Sequence, residues 1–388
     1  MKERSTGKLW LPLMAACLLM MGIFSLSVST KAADNDSSAP AIPCLTFQSE
    51  LHNDFAECFH LYYYNADYTL IDVPDSGQFL LVPEGKSAPD GLDEDIVVLQ
   101  KPLDNIYLAA TSAMSLFSSL DALDDIKFSS LQASGWYVDA AKQAMENGDI
   151  VFAGKYSEPD YELLVNSGCN LAIESTMILH TPKVQEMIEQ MGIPVFTDRS
   201  SYENHPLGRT EWIKVYAEMV DKRDEAKEFF DEQAKIISDL KDFKNTEKTV
   251  AFFYINTDGS VVVRKPSDYV PKMIEIAGGR YVPTQVDSEE ETKRSSVPMT
   301  MEEFYTQAID ADYLVYNGTI DDPINSVDDL LQKSELFADF KAVKEGNVWC
   351  AGKYLYQATD IVGNMITDIH LMLTGGDASQ MTFMTKID

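Results

Sequence analysis

Short apolar runs separated by amphipathic stretches repeat along most of this 388-residue chain. Phe59 to Val73 and Gln78 to Val82 flank a Pro-Asp-Ser-Gly turn at residues 74–77, which predicts a β-hairpin leading to an apolar strand at Ile96 to Leu99. The pattern then alternates. Helices are predicted over Ser112 to Leu123, Trp136 to Asn147, Tyr161 to Asn166 and Pro182 to Met191, with strands at Ile126 to Ser130, Ile150 to Gly154, Leu171 to Glu174 and Val195 to Asp198. Short apolar strands between amphipathic helices imply a mainly parallel sheet covered on both faces.

From Arg209 to Phe243 there is no Gly or Pro, and apolar positions from Ala226 to Phe243 recur every three or four residues among acids and lysines. Residues 222–243 as one helix would reach about 33 Å, enough to bridge two bodies. A second series follows: strands at Val250 to Ile255, Ser260 to Arg264, Tyr313 to Tyr316 and Asn347 to Cys350, and helices at Tyr269 to Ala277, Met301 to Ala308, Val327 to Lys344 and Ile361 to Leu373. The reading is therefore α/β, with an N-terminal lobe over 45–208, a helical segment over 209–243 and a C-terminal lobe over 244–388. The halves resemble each other weakly. Glu162 and Glu302 each open a helix that feeds an equivalent strand, so each lobe presents one acid at a helix start, where the free N–H groups also favour it on electrostatic grounds alone.

The first 33 residues differ. Lys2, Arg4 and Lys8 precede an uncharged apolar stretch from Leu9 to Val28, and Thr30-Lys31-Ala32-Ala33 supplies a small-x-small cleavage site. The stretch reads as a cleaved export signal, as an uncleaved anchor, or as a lipoprotein signal with Met14-Ala15-Ala16-Cys17 as lipobox and Cys17 as the lipidated residue. All three place the protein outside the cytoplasm. Residues 34–44 read as a flexible spacer.

With 62 acidic against 31 basic side chains the formal charge is −31, and removing residues 1–33, which hold four cations and one acid, makes it −34. Nucleic acid is excluded as a partner, and so is unaided adhesion to anionic lipid; membrane residence needs a tether or a membrane-embedded partner. A 45% hydrophobic content excludes a disordered acidic tail. Cys169 and Cys350 lie in apolar runs and read as buried, whereas Cys44 and Cys58 are near enough in sequence to pair. The chain has no CxxC, GxSxG, HExxH, Walker A or GxGxxG motif, and its five histidines are scattered. The acidic runs Asp124-Asp125 and Glu289-Glu290-Glu291 read as solvated faces. Catalysis, a resident metal and a cofactor therefore have no positive support. An exported hydrolase with an unrecognised site and a cell-surface scaffold or adhesion protein stay as alternatives.

The segment His205-Pro206-Leu207-Gly208-Arg209-Thr210-Glu211-Trp212-Ile213 with its following Lys222-Arg223-Asp224-Glu225-Ala226 helix, together with Glu174-Ser175-Thr176, Val263-Arg264-Lys265-Pro266-Ser267-Asp268-Tyr269-Val270 and Ala277-Gly278-Gly279, resembles one known family. It is that of the exported substrate-binding proteins of ABC importers for ferric siderophores, haem and cobalamin. The resemblance spans about residues 95–375. It implies a class III periplasmic-binding-protein-like fold, two Rossmann-like lobes joined by a single long rigid helix, with the hairpin at 45–90 an addition to that core. It further implies a monomer that carries a metal chelate to a membrane permease dimer, and it places the family's two docking glutamates on Glu162 and Glu302.

Open α/β sheets hold ligands at the carboxyl ends of their strands. The residues expected there are Thr111, Ser112, Lys155, Tyr156, Ser175, Thr176, Arg199, Tyr202 and His205 in the first lobe, and Tyr254, Arg264, Lys265, Asn317, Lys353 and Tyr356 in the second. Tyrosine faces suit a planar or apolar chelate, and the cations suit an anionic one.

Overall fold

Alternating side chains, pointing to opposite faces of each strand, account for the layering in the computed structural model, which describes residues 39–240, 242–286 and 295–388. The export, lipidation and Glu289-Glu290-Glu291 readings lie outside the described residues, as does the spacer up to residue 38.

An N-terminal sheet comes first, with β1 (Phe47–Glu50), β2 (His60–Tyr64), β3 (Thr69–Val73), β4 (Gly77–Val82) and β5 (Ile96–Gln100) side by side in chain order. Leu61, Ile71, Phe79 and Leu81 face the core of the next lobe, while Tyr62, Leu70, Leu80 and Val82 face a smaller cluster with Ile42. Both faces are thus covered. The predicted hairpin is right at the 74–77 turn. The single strand expected over Phe59 to Val73 is instead two, split at Asn65–Asp67, where Ala66 and Asp67 take left-handed backbone angles.

The first lobe is a parallel sheet ordered β12-β11-β6-β7-β8. Its strands are β6 (Ile106–Leu108), β7 (Ile126–Ser129) and β8 (Val151–Phe152), then, past a small hairpin of β9 (Gly154–Lys155) and β10 (Glu158–Pro159), β11 (Leu171–Ser175) and β12 (Val195–Asp198). Its helices are α1 (Met114–Ser119), α2 (Asp139–Asn147), α3 (Tyr161–Asn166) and α4 (Pro182–Gln190). Ile106, Leu108, Leu171 and Ile173 pack on the face shared with α1, α2 and the N-terminal sheet; Tyr107 and Ala172 pack on the other face with Leu164 and Ile188 of α3 and α4.

The helical segment expected over 209–243 takes in the end of α5 (Pro206–Glu211), then α6 (Ile213–Met219) and α7 (Arg223–Leu240), the last close to the expected rod over 222–243. The break before α7 falls where Asp221 adopts a left-handed conformation, so the connecting rod is 18 residues, roughly 27 Å long. Ala226 and Phe230 of α7 pack in the first lobe's core, Leu240 against the second's, and Ile237 against both.

The second lobe pairs its strands in the order β16-β14-β13-β17-β18-β19, with β15 also on β13. These are β13 (Thr249–Ile255), β14 (Val261–Arg264), β15 (Arg280–Val282), β16 (Ser296–Met299), β17 (Tyr313–Asn317), β18 (Val348–Ala351) and β19 (Met384–Ile387). The centre, β15, β13, β17 and β18, is parallel, whereas β14, β16 and β19 run antiparallel to their neighbours. Helices α8 (Tyr269–Ile276) and α12 (Val362–Thr374) cover one face. The other face carries α9 (Met301–Ala308), α10 (Val327–Lys333) and α11 (Lys341–Lys344). The helix predicted over Val327 to Lys344 is interrupted because Ser334 leaves helical geometry and its hydroxyl accepts from the Leu336 N–H of a new 3-10 turn.

Polar contacts tie the lobes together beside α7. The Thr210 hydroxyl donates to the Thr359 carbonyl at 2.8 Å and Ser119 Oγ to Asp360 Oδ2 at 2.8 Å. The buried Gln357 side chain accepts from Tyr137 N at 2.7 Å and donates to the Gly135 carbonyl at 2.9 Å. Gly363 lets α12 approach α7, since a Cβ there would sit 2.9 Å from Gln233 Oε1. Cys44 and Cys58 are separate free thiols, and Cys169 and Cys350 are buried.

Candidate functional site

The carboxyl ends of β11, β12 and β13 open onto one cleft of about 680 Å³, lined from the first lobe by Thr176, Met177, His180 and Ser201–Asn204. The second lobe contributes Tyr254, Asn256, Val262, Lys265, Ser267, Asp268, Ser295, Ser296 and Pro298. Its size suits a small-molecule ligand.

Each wall is built locally. At the end of β11, Ser175 Oγ accepts from Met177 N at 3.4 Å and turns the chain into the segment that carries Thr176 and His180. At the end of β12, Asp198 accepts from Ser200 N at 2.6 Å and from the Tyr216 hydroxyl at 2.6 Å, which starts the 3-10 turn ending at Tyr202. The Arg199 guanidinium covers the Tyr202 ring at 4.8 Å. The Glu203 backbone borders the cleft, but its buried carboxylate accepts from Glu57 N at 2.8 Å, Cys58 N at 2.9 Å and Trp212 Nε1 at 2.9 Å. Burial raises the Glu203 pKa and these donors pull against it. Next door, His205 Nδ1 accepts from Leu207 N at 3.2 Å as the N-cap of α5, and its ring stacks on Phe55 at 4.4 Å. Burial, then the nearby Lys272 charge, lowers its pKa to about 4, so the imidazole is neutral at pH 7.

In the second lobe, Tyr254 stands on β13, Arg264 ends β14 and Lys265 follows it. Arg264 reaches Ser295 Oγ at 3.1 Å and Asp268 at 3.8 Å, while Asp268 caps α8 through Val270 N at 3.1 Å. Arg264 and Arg209 of α5 both lie over the Tyr269 ring, at 5.7 and 4.1 Å.

Of the residues expected at the ligand, Thr176, Tyr202, Tyr254 and Lys265 meet in this cleft. Arg199 lies behind Tyr202, and His205 lines an adjoining cavity of about 490 Å³ that shares Asn204, Ser267 and Asp268. The others lie elsewhere. Thr111 and Ser112 begin the turn into α1, with Ser112 Oγ 3.4 Å from Asp198. Lys155 sits in the small hairpin, and Tyr156 packs with the first lobe's outer core. Asn317 is buried and its side-chain oxygen accepts from Thr319 N and Oγ1, at 3.2 and 2.6 Å. Lys353 pairs with Asp322 at 2.8 Å, and Tyr356 meets Tyr137 across the seam between lobes at 6.4 Å. Met177, His180, Asn256 and Ser267 were not anticipated; each lies within four residues of an anticipated one, so a wider window at each strand end would have found them.

Glu162 and Glu302 are both exposed and both occupy the second residue of their helices. Asp160 caps α3 by accepting from Leu163 N at 3.0 Å, and Thr300 with Glu303 forms a capping box on α9, so the caps are supplied by other side chains. Glu174, one residue before the site turn, is fully buried with neither carboxylate oxygen hydrogen-bonded, and burial raises its pKa to about 8. Among the described residues no group of three or more His, Cys, Asp or Glu is placed to hold a metal ion.

The periplasmic binding protein family profile matches residues 120–355. An uncharacterized lipoprotein of Methanocaldococcus jannaschii is 23% identical over 301 residues, covering 73% of this chain and 69% of its own. A second from the same organism is 25% identical over 341 residues, covering 83% and 84%. Among solved structures, a periplasmic heme binding protein from Pseudomonas aeruginosa superposes with a TM-score of 0.56 at 14% identity, covering 74% of this chain and 98% of its own. The triscatecholate siderophore binding protein FeuA from Bacillus subtilis gives 0.54 at 15%, covering 72% and 95%. With the family profile spanning more than half of its length, and with two α/β lobes joined at α7 around a cleft at their strand ends, this chain belongs to the periplasmic binding protein family.

Proposed function

We propose that the protein is the exported substrate-binding component of an ABC importer, capturing a metal chelate between its lobes and delivering it to a membrane permease dimer. The observation that carries this reading is the cleft, where the carboxyl ends of strands from both lobes bring Tyr202, Tyr254, Thr176 and Lys265 together. Two tyrosine faces suit a planar or apolar chelate, a ferric siderophore, haem or cobalamin; Lys265, with Arg264 beside it, suits anionic groups on it. Solved proteins of the same fold bind heme or ferri-bacillibactin. In this reading Lys155, Tyr156, Asn317, Lys353 and Tyr356 support the lobes rather than touch the ligand.

Delivery would use Glu162 and Glu302 as charge-assisted contacts to cationic pockets on the permease. The protein acts as a monomer, and lipid on Cys17 is the tether favoured by the lipoprotein relatives. The rod α7 and the polar seam at Gln357 and Asp360 limit lobe motion, so capture involves modest closure. Tryptophan-quench titration with haem, cobalamin and ferric siderophores tests the reading. Saturable 1:1 quenching by one of them is expected, and absence of binding to all of them would overturn the chelate assignment.

A further inference from the structure

The five-stranded N-terminal sheet lies outside residues 120–355, the part of the chain matched to the family, yet it touches the cleft's first-lobe wall at three separate points. At the β3–β4 turn, Asp75 Oδ2 and Ser76 Oγ lie 3.4 and 3.5 Å from the Arg199 guanidinium, which also covers the Tyr202 ring. In the loop before β2, the Glu57 and Cys58 N–H groups hold the Glu203 carboxylate. One turn earlier in that loop, Phe55 stacks on His205. The approach is close enough that a Cβ on Gly208 would meet the Phe55 carbonyl at 3.0 Å and Glu203 Oε2 at 3.1 Å.

Within its own lobe the wall is anchored by side chains at its two ends, through Asp198 at Ser200 N and Trp212 Nε1 at Glu203. Its backbone bonds are local, Tyr202 N to Arg199 O at 2.9 Å and Glu203 N to Ser200 O at 3.2 Å, with no strand partner beyond Asp198. Short segments with few fixed contacts are the ones that open most easily.

We infer that the N-terminal sheet is a positioning element of the ligand cleft, in which Asp75, Ser76 and Phe55 act through Arg199 and His205 to fix the Tyr202 face against which a ligand packs. The inference rests on the cleft being the ligand site, and it assigns Arg199 to support of Tyr202 instead of direct contact. A wall set by an added layer makes ligand selectivity depend on residues more than a hundred positions away in sequence.

Hydrogen exchange on the full chain tests the brace without any ligand. Asp75→Ala with Ser76→Ala alters an exposed turn, with Asp75 81% exposed, and so leaves the fold intact; Phe55→Ala removes the stack, and Phe55→Tyr restores it. In the first two variants the amides of Tyr202 and Glu203 should exchange about tenfold faster while those of β11 and β12 keep their protection. Unchanged protection over 199–205 in both variants, or equal loosening of the whole lobe, would overturn the inference. In a second arm haem, cobalamin and ferric bacillibactin are titrated. For any that binds the wild type, the turn variant should bind about tenfold more weakly at an unchanged melting temperature, and equal affinity would also overturn it. If none binds the wild type, the chelate assignment fails, while the exchange result still decides the brace.

Discussion

In the first lobe the buried Glu211 carboxylate of α5 accepts from the N–H groups of Asp54, Phe55 and Ala56, all at 2.8 Å, and from Lys214 at 2.6 Å. In the second lobe the buried Asp368 of α12 accepts from the N–H groups of Thr382, Phe383 and Met384 at distances between 2.6 and 3.1 Å. The devices are alike, but what they catch is not. Asp368 pins the entry to β19, a strand of its own lobe's sheet, whereas Glu211 pins a loop of the N-terminal layer. The second lobe is therefore closed on itself, and the first shares its stability with a sheet that the family match does not reach. At their outer helix starts the lobes are alike again, each presenting one acid at the second helical position, Glu162 or Glu302.

That equivalence gives the largest expected effect. Reversing both acids, Glu162→Lys with Glu302→Lys, should abolish uptake in a transport assay while leaving ligand affinity intact, with each single reversal giving a similar partial loss. A large asymmetry between the singles would show that one lobe docks alone. The clips come next. Glu211→Ala and Asp368→Ala each strand three backbone N–H groups, costing about 3–5 kcal/mol in denaturant unfolding. The lobes should differ in what is released: limited proteolysis should cut the 54–58 loop in the first variant and the segment before β19 in the second. Cleavage at the same places in both would erase the contrast.

How much of this was readable beforehand depended on whether the signal was local. Helices α3 and α9 fall where the sequence placed them because Asp160 and Thr300 with Glu303 are caps written within one turn. The break at Ser334 has no Gly or Pro to announce it, so the periodic stretch over Val327 to Lys344 reads as a single helix. Strand β6 is central to its sheet yet only three residues long, too short to show a period, and β15 was missed for the same reason. In the cleft, position at or beyond the end of a strand identified Tyr254 and Tyr202. The same rule chose Asn317 and Lys353, whose side chains are engaged by Thr319 and Asp322. Strand ends locate the site but do not say which way a side chain points. The contact of Asp75 with Arg199 spans 124 positions and could not be seen at all.

A smaller effect separates the lobes by pH. Glu174 in β11 is a buried acid with no partner, whereas the second lobe's buried Asp368 is fully hydrogen-bonded. With a folded pKa of about 8 against an ordinary 4.5, the Glu174 contribution to stability is full below pH 4.5 and is lost as pH rises toward 8. Glu174→Gln removes that loss, so the variant should gain on the wild type, by up to about 1.4 kcal/mol per pH unit, between pH 4.5 and 8. A pH-independent difference would show that Glu174 has reached water or a cation.

The smallest effect runs the opposite way and tests the joint between the first lobe and the N-terminal sheet. His205 is held neutral under Phe55, with a folded pKa of about 4 against an ordinary 6.5. Its contribution is therefore present above pH 6.5 and drains as pH falls toward 4, because the unfolded chain takes up the proton first. His205→Asn keeps an oxygen able to accept from Leu207 N and removes the titration. The variant should lose slightly at pH 7.5, where the ring stack is gone, and recover relative to the wild type between pH 6.5 and 4.5 in urea unfolding. The recovery should disappear in a Phe55→Ala background, because the uncovered imidazole is then free to protonate in the folded state. Persistence of the recovery there would mean that something other than the N-terminal layer keeps this histidine dry.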